Sequence, residues 1–331
     1  MAEQYALGID FGGTKVLAAV IALGTGEVVA SAKKKTRPDD GPEDLVQRVF
    51  GVAQAALDDA AGSKRAPAIS AIGIGMAGQV DPVAGVLLGT PNLAQSSVEL
   101  PIAARLTERF GVPAVLRNDV HIAAVGEQRF GAGRDAASFL CVFVGTGIGG
   151  ALVQGGQLVT GTTGTAGEIG HIIVAADGRL CGCGGRGHLE AYCSRTAMTK
   201  AILGEIKRGR TTRLSEVFAI DGGKLDGGAV LRSGMLARAI ADGDELVIDT
   251  VRDAGRYLGY GLASVMNVVN PQRIILGGGV IEAVDLMFDV AAATARREAL
   301  PVPGQGIEIV RAGLGDNSGV VGAAMIAGEA V

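Results

Sequence analysis

With 331 residues, a net charge of −4 and 53 glycines, the chain has room for a large core in two lobes. It lacks the basic excess that nucleic acid or an anionic membrane surface would require. The opening MAEQYALGID has no basic region ahead of an apolar run, and no apolar stretch approaches the ~18 residues of a spanning helix, so a cytoplasmic protein with neither a membrane nor a nucleic-acid partner is expected. Glycine makes up about 16% of the residues against a usual ~7%. It falls in separate tight turns, which points to close backbone approach to a ligand.

Tyr5 to Ile9 reads as a buried strand and Asp10-Phe-Gly-Gly-Thr-Lys15 as a tight turn; Val16 to Leu23 and Glu27 to Lys34 are two more strands joined by Gly24-Thr-Gly26. A strand–glycine turn–strand unit can wrap backbone N–H groups around phosphate oxygens, with Asp10 near the accompanying Mg²⁺. An ordinary hairpin with turn glycines is the other reading. Pro42 to Ala61 has helical spacing and an acidic first turn. Ile69 to Gly75 is strand-like, and a Pro/Gly-rich hairpin and the loop Gly89-Thr-Pro-Asn92-Leu follow it. A helix is expected over Pro101 to Phe110, a strand over Pro113 to Arg117 and a helix over Val120 to Phe130. Asn118-Asp119, at the C-terminal end of that strand, occupies the place where α/β sheets put their chemistry. Asp119 either receives a proton from a hydroxyl or caps the helix.

The opening layout then recurs: a strand over Ser138 to Val144, the turn Gly145-Thr-Gly-Ile-Gly-Gly150 and a return strand over Ala151 to Gln154. VFVGTGIGGALV reads as a second copy of IDFGGTKVLAAV, which predicts two like-folded lobes with a nucleotide between them. Gly145-x-Gly-x-x-Gly150 and Gly73-x-Gly-x-x-Gly78 match the dinucleotide fingerprint, but neither is followed by a helical pattern. No Gly-Lys-Ser/Thr occurs. A Rossmann dehydrogenase and a P-loop NTPase are therefore not expected.

The stretch Thr165 to Glu190 carries two thiols and two imidazoles, His171, Cys181, Cys183 and His188, which are the ligand set of a tetrahedral zinc site. Glu168 and Glu190 flank it, as if something polar were held beside the metal. Leu189 to Lys207, Ala229 to Ala241 and Asp244 to Val269 have helical patterns, with a polar linker over Arg208 to Gly228. Arg273 to Leu276 is a buried strand meeting Gly277-Gly-Gly279, then a helix to about Ala299. Ile307 to Arg311 is the last strand. The small-residue helix Asp316 to Glu329 is expected to cross back onto the first lobe.

Gly-Glu168-Ile-Gly-His171 followed by Cys181-x-Cys183-Gly-x-x-Gly-x-x-Glu190 resembles the signature of the ROK family of bacterial sugar kinases and sugar-responsive repressors, and the resemblance runs over nearly the full length. It implies an α/β, two-lobed actin/hexokinase-like ATPase fold with duplicated phosphate-binding hairpins and a small zinc-bound segment. The implied lobes are 1–117 plus 316–331, and 118–315. Asp10, Gly12, Gly13, Thr14 and Lys15 then match the first phosphate motif, Gly145, Thr146 and Gly147 the second, and Gly277, Gly278 and Gly279 the adenosine-side turn. Asn118 matches a sugar-binding Asn and Asp119 the catalytic base; Gly78, Asn92, Glu168, His171 and Glu190 fall on the sugar side. ATP with Mg²⁺ and a structural Zn²⁺ are the implied cofactors, a sugar the implied substrate, and a homodimer or homotetramer the implied assembly.

The chain departs from the family at His188, where a third Cys is usual, at Val120-His121, at Ala77 before Gly78, and at Gln95-Ser-Ser97, where an aromatic is common. Glucose phosphorylated at its 6-hydroxyl is the expected reaction, with an N-acetylhexosamine kinase as the alternative. A sugar-sensing regulator is the other class. It would carry a DNA-binding segment ahead of the phosphate motif, which here begins at Asp10.

Overall fold

A computed structural model describes residues 3–37, 41–62, 67–89, 99–214 and 231–331. Asn92, Gln95-Ser-Ser97 and most of the polar linker lie outside the described residues.

The first sheet contains β1 (Tyr5–Phe11), β2 (Lys15–Ala22), β3 (Val28–Lys35), β4 (Ile69–Met76) and, after the small hairpin of β5 (Gln79–Asp81) and β6 (Val86–Gly89), β7 (Ala114–Asn118). The second contains β8 (Phe139–Val144), β9 (Ile148–Gln154), β10 (Gln157–Val159), β11 (Arg273–Gly277) and β12 (Glu308–Arg311). Their orders are β3-β2-β1-β4-β7 and β10-β9-β8-β11-β12. Each sheet thus lays its own strands out as third, second, first, fourth, fifth. In both, the first, fourth and fifth strands run parallel. The repeat visible between IDFGGTKVLAAV and VFVGTGIGGALV is a repeat of topology as well.

The chain divides into two compact units: Met1–Ser138, Ala151–Gly167 and Ala312–Val331 form one, and Phe139–Gly150 with Glu168–Arg311 the other. The division runs through β9, and it groups the helix Asp119–Phe130 with the first unit, whereas the sequence places that helix in the second lobe.

In the first unit the two-residue period of the strands sorts the core. Leu7, Ile9, Val16, Ala18 and Val20 pack with Val46, Val49 and Val52 of the helix Pro42–Ala61. Ala6, Leu17, Ala19 and Ile21 pack instead with Val320, Val321 and Ala324 of the helix Ser318–Glu329. That helix comes so close to its neighbours that no side chain fits between. A Cβ at Gly8 would lie 1.8 Å from Val320 O, one at Gly73 1.9 Å from Ala323 O, and one at Gly322 1.7 Å from Ile122 O of the helix Asp119–Phe130. The small-residue composition of the C-terminal helix is the condition for this contact, and its expected return onto the first unit is found.

In the second unit the helix Glu245–Val269, capped by Asp244 through Val247 N at 3.2 Å, is buried along Leu246, Val251, Leu258, Leu262 and Met266. The helical pattern Leu189 to Lys207 is two helices, Glu190–Cys193 and Arg195–Lys207. Ser194 breaks it by accepting from Ala197 N at 3.1 Å as the cap of the second. The helix expected after Gly279 likewise breaks at Val284, into Gly279–Ala283 and Asp285–Glu298.

Candidate active site

In the first unit, Asp10 and Phe11 both lie within β1, so the turn begins at Gly12, two residues later than the sequence suggests. Gly12 N donates to Lys15 O at 3.0 Å, closing the turn, and the Thr36 hydroxyl braces it on Gly12 O at 2.8 Å. Lys15 Nζ lies 2.6 Å from Asp316 Oδ1. Asp10 is pressed against the start of the C-terminal helix, where a Cβ on Gly319 would lie 2.8 Å from its carboxyl carbon. Burial first, then the Asp119 and Asp316 charges, push the Asp10 carboxyl up to about 7, against the opposing pull of Lys15.

Asn118 and Asp119 divide the labour at the end of β7. Asn118 is the cap: its Oδ1 accepts from Val120 N at 2.9 Å and from His121 N at 3.2 Å. Its Nδ2 donates to Gly78 O at 3.2 Å, which brings Gly78 and Asn118 together and leaves one amide N–H for another acceptor. Asp119 is therefore the first residue inside the helix rather than its cap, although its Oδ1 also accepts from Val120 N at 3.0 Å.

Two helical turns further on stands a residue that nothing in the sequence singles out. Glu127 is fully buried. It accepts from Ala132 N and Gly313 N at 2.8 Å, from Leu314 N at 2.9 Å and from the Ser318 hydroxyl at 2.7 Å. One carboxylate thus ties the far end of the Asp119 helix to the segment that leads into Asp316 and the C-terminal helix. The nearby Gly131-Ala-Gly133 was the available signal, because a glycine bend beside a helical Glu lets main-chain N–H groups reach it.

The second unit repeats the turn. Gly145 N donates to Gly147 O at 2.9 Å, and Thr196 Oγ1 holds Thr146 O at 2.8 Å. Glu190 Oε2 accepts from Ile148 N at 2.9 Å, and a Cβ on Gly147 would stand 2.4 Å from the same oxygen. Gly147 is glycine because Glu190 occupies that space. Gly278 has φ +86°, a left-handed conformation, and a Cβ there would lie 2.6 Å from Val144 O at the end of β8. The turn Gly277-Gly278-Gly279 therefore packs directly on the strand that feeds the Gly145 turn.

The metal candidates converge. Ligand atoms of His171, Cys181, Cys183 and His188 all lie within 4.8 Å of one another. The separations are 3.4 Å for His171 Nδ1 to His188 Nδ1, 3.9 Å for Cys181 Sγ to His171 Nδ1 and 3.2 Å for Cys183 Sγ to His188 Nδ1. Tetrahedral zinc with its usual bond lengths has edges of about 3.3 Å between two nitrogens and about 3.6 Å between nitrogen and sulfur, so the residues fit the ion. Both imidazoles turn Nδ1 inward. His171 Nε2 is then left outside the cluster, 3.9 Å from Glu168 Oε2. Burial pushes the Cys181 thiol up to about 11, so a metal must displace a tightly held proton.

A family model described as the ROK family matches residues 6–330. The chain is 31% identical over 329 residues to a glucokinase of Streptomyces coelicolor, covering 98% of this chain and 97% of that one. It is 30% identical over 253 residues to the DNA-binding transcriptional dual regulator NagC of Escherichia coli, covering 76% of this chain and 59% of the regulator. Among solved structures, a ROK family glucokinase from Streptomyces griseus in complex with glucose and AMPPNP superposes with a TM-score of 0.82 at 31% identity, covering 98% of this chain and 99% of that one.

Proposed function

Since the chain belongs to the ROK family, we propose that it transfers the γ-phosphoryl group of ATP to the 6-hydroxyl of glucose, with Asp119 receiving the hydroxyl proton. The chain is an ATP-dependent sugar kinase. The observation that carries the catalytic assignment is the capping by Asn118, which leaves Asp119 in the helix's first turn at the end of β7, beside the Asp10 turn in electrostatic terms. Phosphoryl transfer asks the protein for positioning, charge neutralisation and one proton acceptor. Asp119 is the acceptor, and Asn118 orients the sugar with its remaining amide N–H. The two glycine turns supply main-chain N–H groups for phosphate oxygens. Glucose as the acceptor is supported by the names of the relatives and by the glucose-bound structure of one of them.

Two ions complete the proposal. Asp10 would hold Mg²⁺ with the nucleotide, and Mg²⁺ would neutralise charge on the phosphates. His171, Cys181, Cys183 and His188 would hold a structural Zn²⁺, which fixes the imidazole of His171 so that its Nε2–H, beside Glu168, donates to a sugar oxygen. Glu168 and Glu190 are the proposed carboxylate grips on the sugar hydroxyls. ADP release, measured on the metal-replete protein across glucose, mannose, fructose, N-acetylglucosamine and N-acetylmannosamine, tests the reading. Glucose should give the highest kcat/KM. A faster N-acetylhexosamine would replace the substrate, and silence on every sugar would overturn the kinase assignment itself.

A further inference from the structure

Arg195 is the first residue of the helix Arg195–Lys207, and it is bound to the second glycine turn twice. Its main-chain N–H donates to Gly145 O at 2.9 Å, and its Nη2 donates to Thr146 Oγ1 at 2.6 Å. The next residue, Thr196, holds Thr146 O through its hydroxyl at 2.8 Å. The turn Gly145-Thr146-Gly147 is thus seated on the opening of a 13-residue helix, with a guanidinium beside it.

Three features of that guanidinium go beyond clamping a threonine. Its only side-chain partner among the described residues is a neutral hydroxyl, and no carboxylate pairs with it there. It stands in a helix first turn that holds no acidic residue, where the positive end of the macrodipole disfavours a cation. Its Nε is enclosed and donates to nothing, one of only two such buried side-chain atoms among the described residues. Burial draws its pKa below the ordinary arginine value, as expected where desolvation has no counter-ion to offset it. A neutral Gln could hold Thr146 without incurring these costs. They make sense together if an anion belongs at the turn.

The second enclosed atom lies beside another of the glycine turns. Ser233 Oγ also lacks a partner, and Gly279 of the third glycine turn faces it, with a Cβ there lying 3.7 Å away. Both unsatisfied groups in the described residues therefore adjoin turns matched to the nucleotide.

We infer that Arg195 is the phosphate-directed cation of the second glycine turn: Thr146 holds one arm of its guanidinium, and the other arm is met by phosphate oxygens of the nucleotide. Arginine suits this task because its planar fork presents five donors, of which Thr146 uses one. The same contact makes it a positioning residue, since the arm on Thr146 fixes the turn in the shape that the phosphates require. This rests on the kinase reading above for the identity of the ligand.

The test is equilibrium calorimetry with ATP, ADP and adenosine on the metal-replete full-length protein, in the presence of Mg²⁺, for the wild type, Arg195→Ala and Arg195→Lys. A charge-assisted hydrogen bond is worth roughly 10- to 100-fold in affinity. Arg195→Ala should lose about that factor for ATP while binding adenosine within about 2-fold of the wild type. Arg195→Lys should recover a substantial part of the ATP affinity. In turnover, KM for ATP should rise in Arg195→Ala while KM for the sugar holds. Wild-type ATP affinity in Arg195→Ala overturns the inference. So does an equal loss for ATP and adenosine, which would mark a purely structural residue, and so does a Lys variant as weak as the Ala variant. If nucleotide binding depends on Arg195 as described but no sugar is phosphorylated, the kinase reading falls and this inference stands. If sugar is phosphorylated with an unchanged KM for ATP in Arg195→Ala, the reverse holds.

Discussion

Replacing Asp10 by Asn should make the ligand-free protein more stable at neutral pH, and the sign follows from the proton balance. The carboxyl titrates near 7 in the folded chain against 3.8 as its ordinary value. Between those limits the native state holds a proton that the unfolded state has released, so stability falls as pH rises. The contribution is fully present below the unfolded value and is lost as pH passes through about 7. Three pH units at about 1.4 kcal/mol each give a full contribution of roughly 4 kcal/mol. Asn has the same shape and cannot titrate. The difference between Asp10→Asn and wild type, from urea midpoints at pH 5, 6, 7 and 8 without Mg²⁺ or nucleotide, should therefore grow in favour of the variant from pH 5 to pH 7 and level off by pH 8. Titrating groups that do not interact with Asp10 cancel in the difference, whereas Asp119, Asp316 and Lys15 respond to the change. Parallel curves for the two proteins across the range would refute the reasoning. In the proposed role the same carboxyl would ionise to hold Mg²⁺, so wild type binding Mg·ATP at pH 6 should release a proton that Asp10→Asn does not.

Asp119→Asn should lower kcat by about 10²–10⁴, the usual worth of a general base, while sugar binding followed by calorimetry survives; near-normal turnover would move the base elsewhere. Glu127→Ala removes the acceptor of four donors and should destabilise by roughly 3–5 kcal/mol, with Glu127→Gln recovering part of the loss in the same denaturation assay. Protein purified without added metal should contain about one zinc per chain by elemental analysis; His188→Cys should keep it and His188→Ala should lose it, and full zinc in His188→Ala would mean that the fourth ligand lies elsewhere.

The parts of this molecule that were legible in the sequence are those set by neighbours along the chain. The bounds of the helix Pro42–Ala61 follow from its spacing and acidic first turn, and both glycine turns follow from the repeat between IDFGGTKVLAAV and VFVGTGIGGALV. The four clustered Cys and His residues needed no more than their proximity along the chain. What was not legible depends on distant segments. Glu127 looks like a surface residue of an amphipathic helix until Gly313, Leu314 and Ser318 arrive from the far end of the chain. Arg195 lies within a continuous helical pattern, and only the Ser194 cap and the contact with Thr146 show that a new helix begins there and where it points. The grouping of the helix Asp119–Phe130 with the first unit has the same origin, since the approach of Gly322 to Ile122 O joins residues two hundred apart in sequence.

Glu190 shows why the metal loop and the second glycine turn belong to one piece of machinery. Its Oε2 holds Ile148 N at 2.9 Å at the end of the turn, and Cys181 Sγ of the metal cluster lies 3.6 Å from its Oε1. The helix Glu190–Cys193 that carries it follows His188 by two residues, and Arg195 and Thr196, which grip the turn from the other side, follow that helix directly. Fixing His171, Cys181, Cys183 and His188 around one ion therefore fixes the start of a short segment whose remaining residues all bear on Gly145-Thr146-Gly147. The carboxylate proposed to grip the sugar also excludes any side chain at Gly147, so its position cannot change without the phosphate turn changing too. In the proposed reading, coupling between the sugar and nucleotide sites would need no distant pathway, because a shift of Glu190 on sugar binding would act directly on the Gly145 turn.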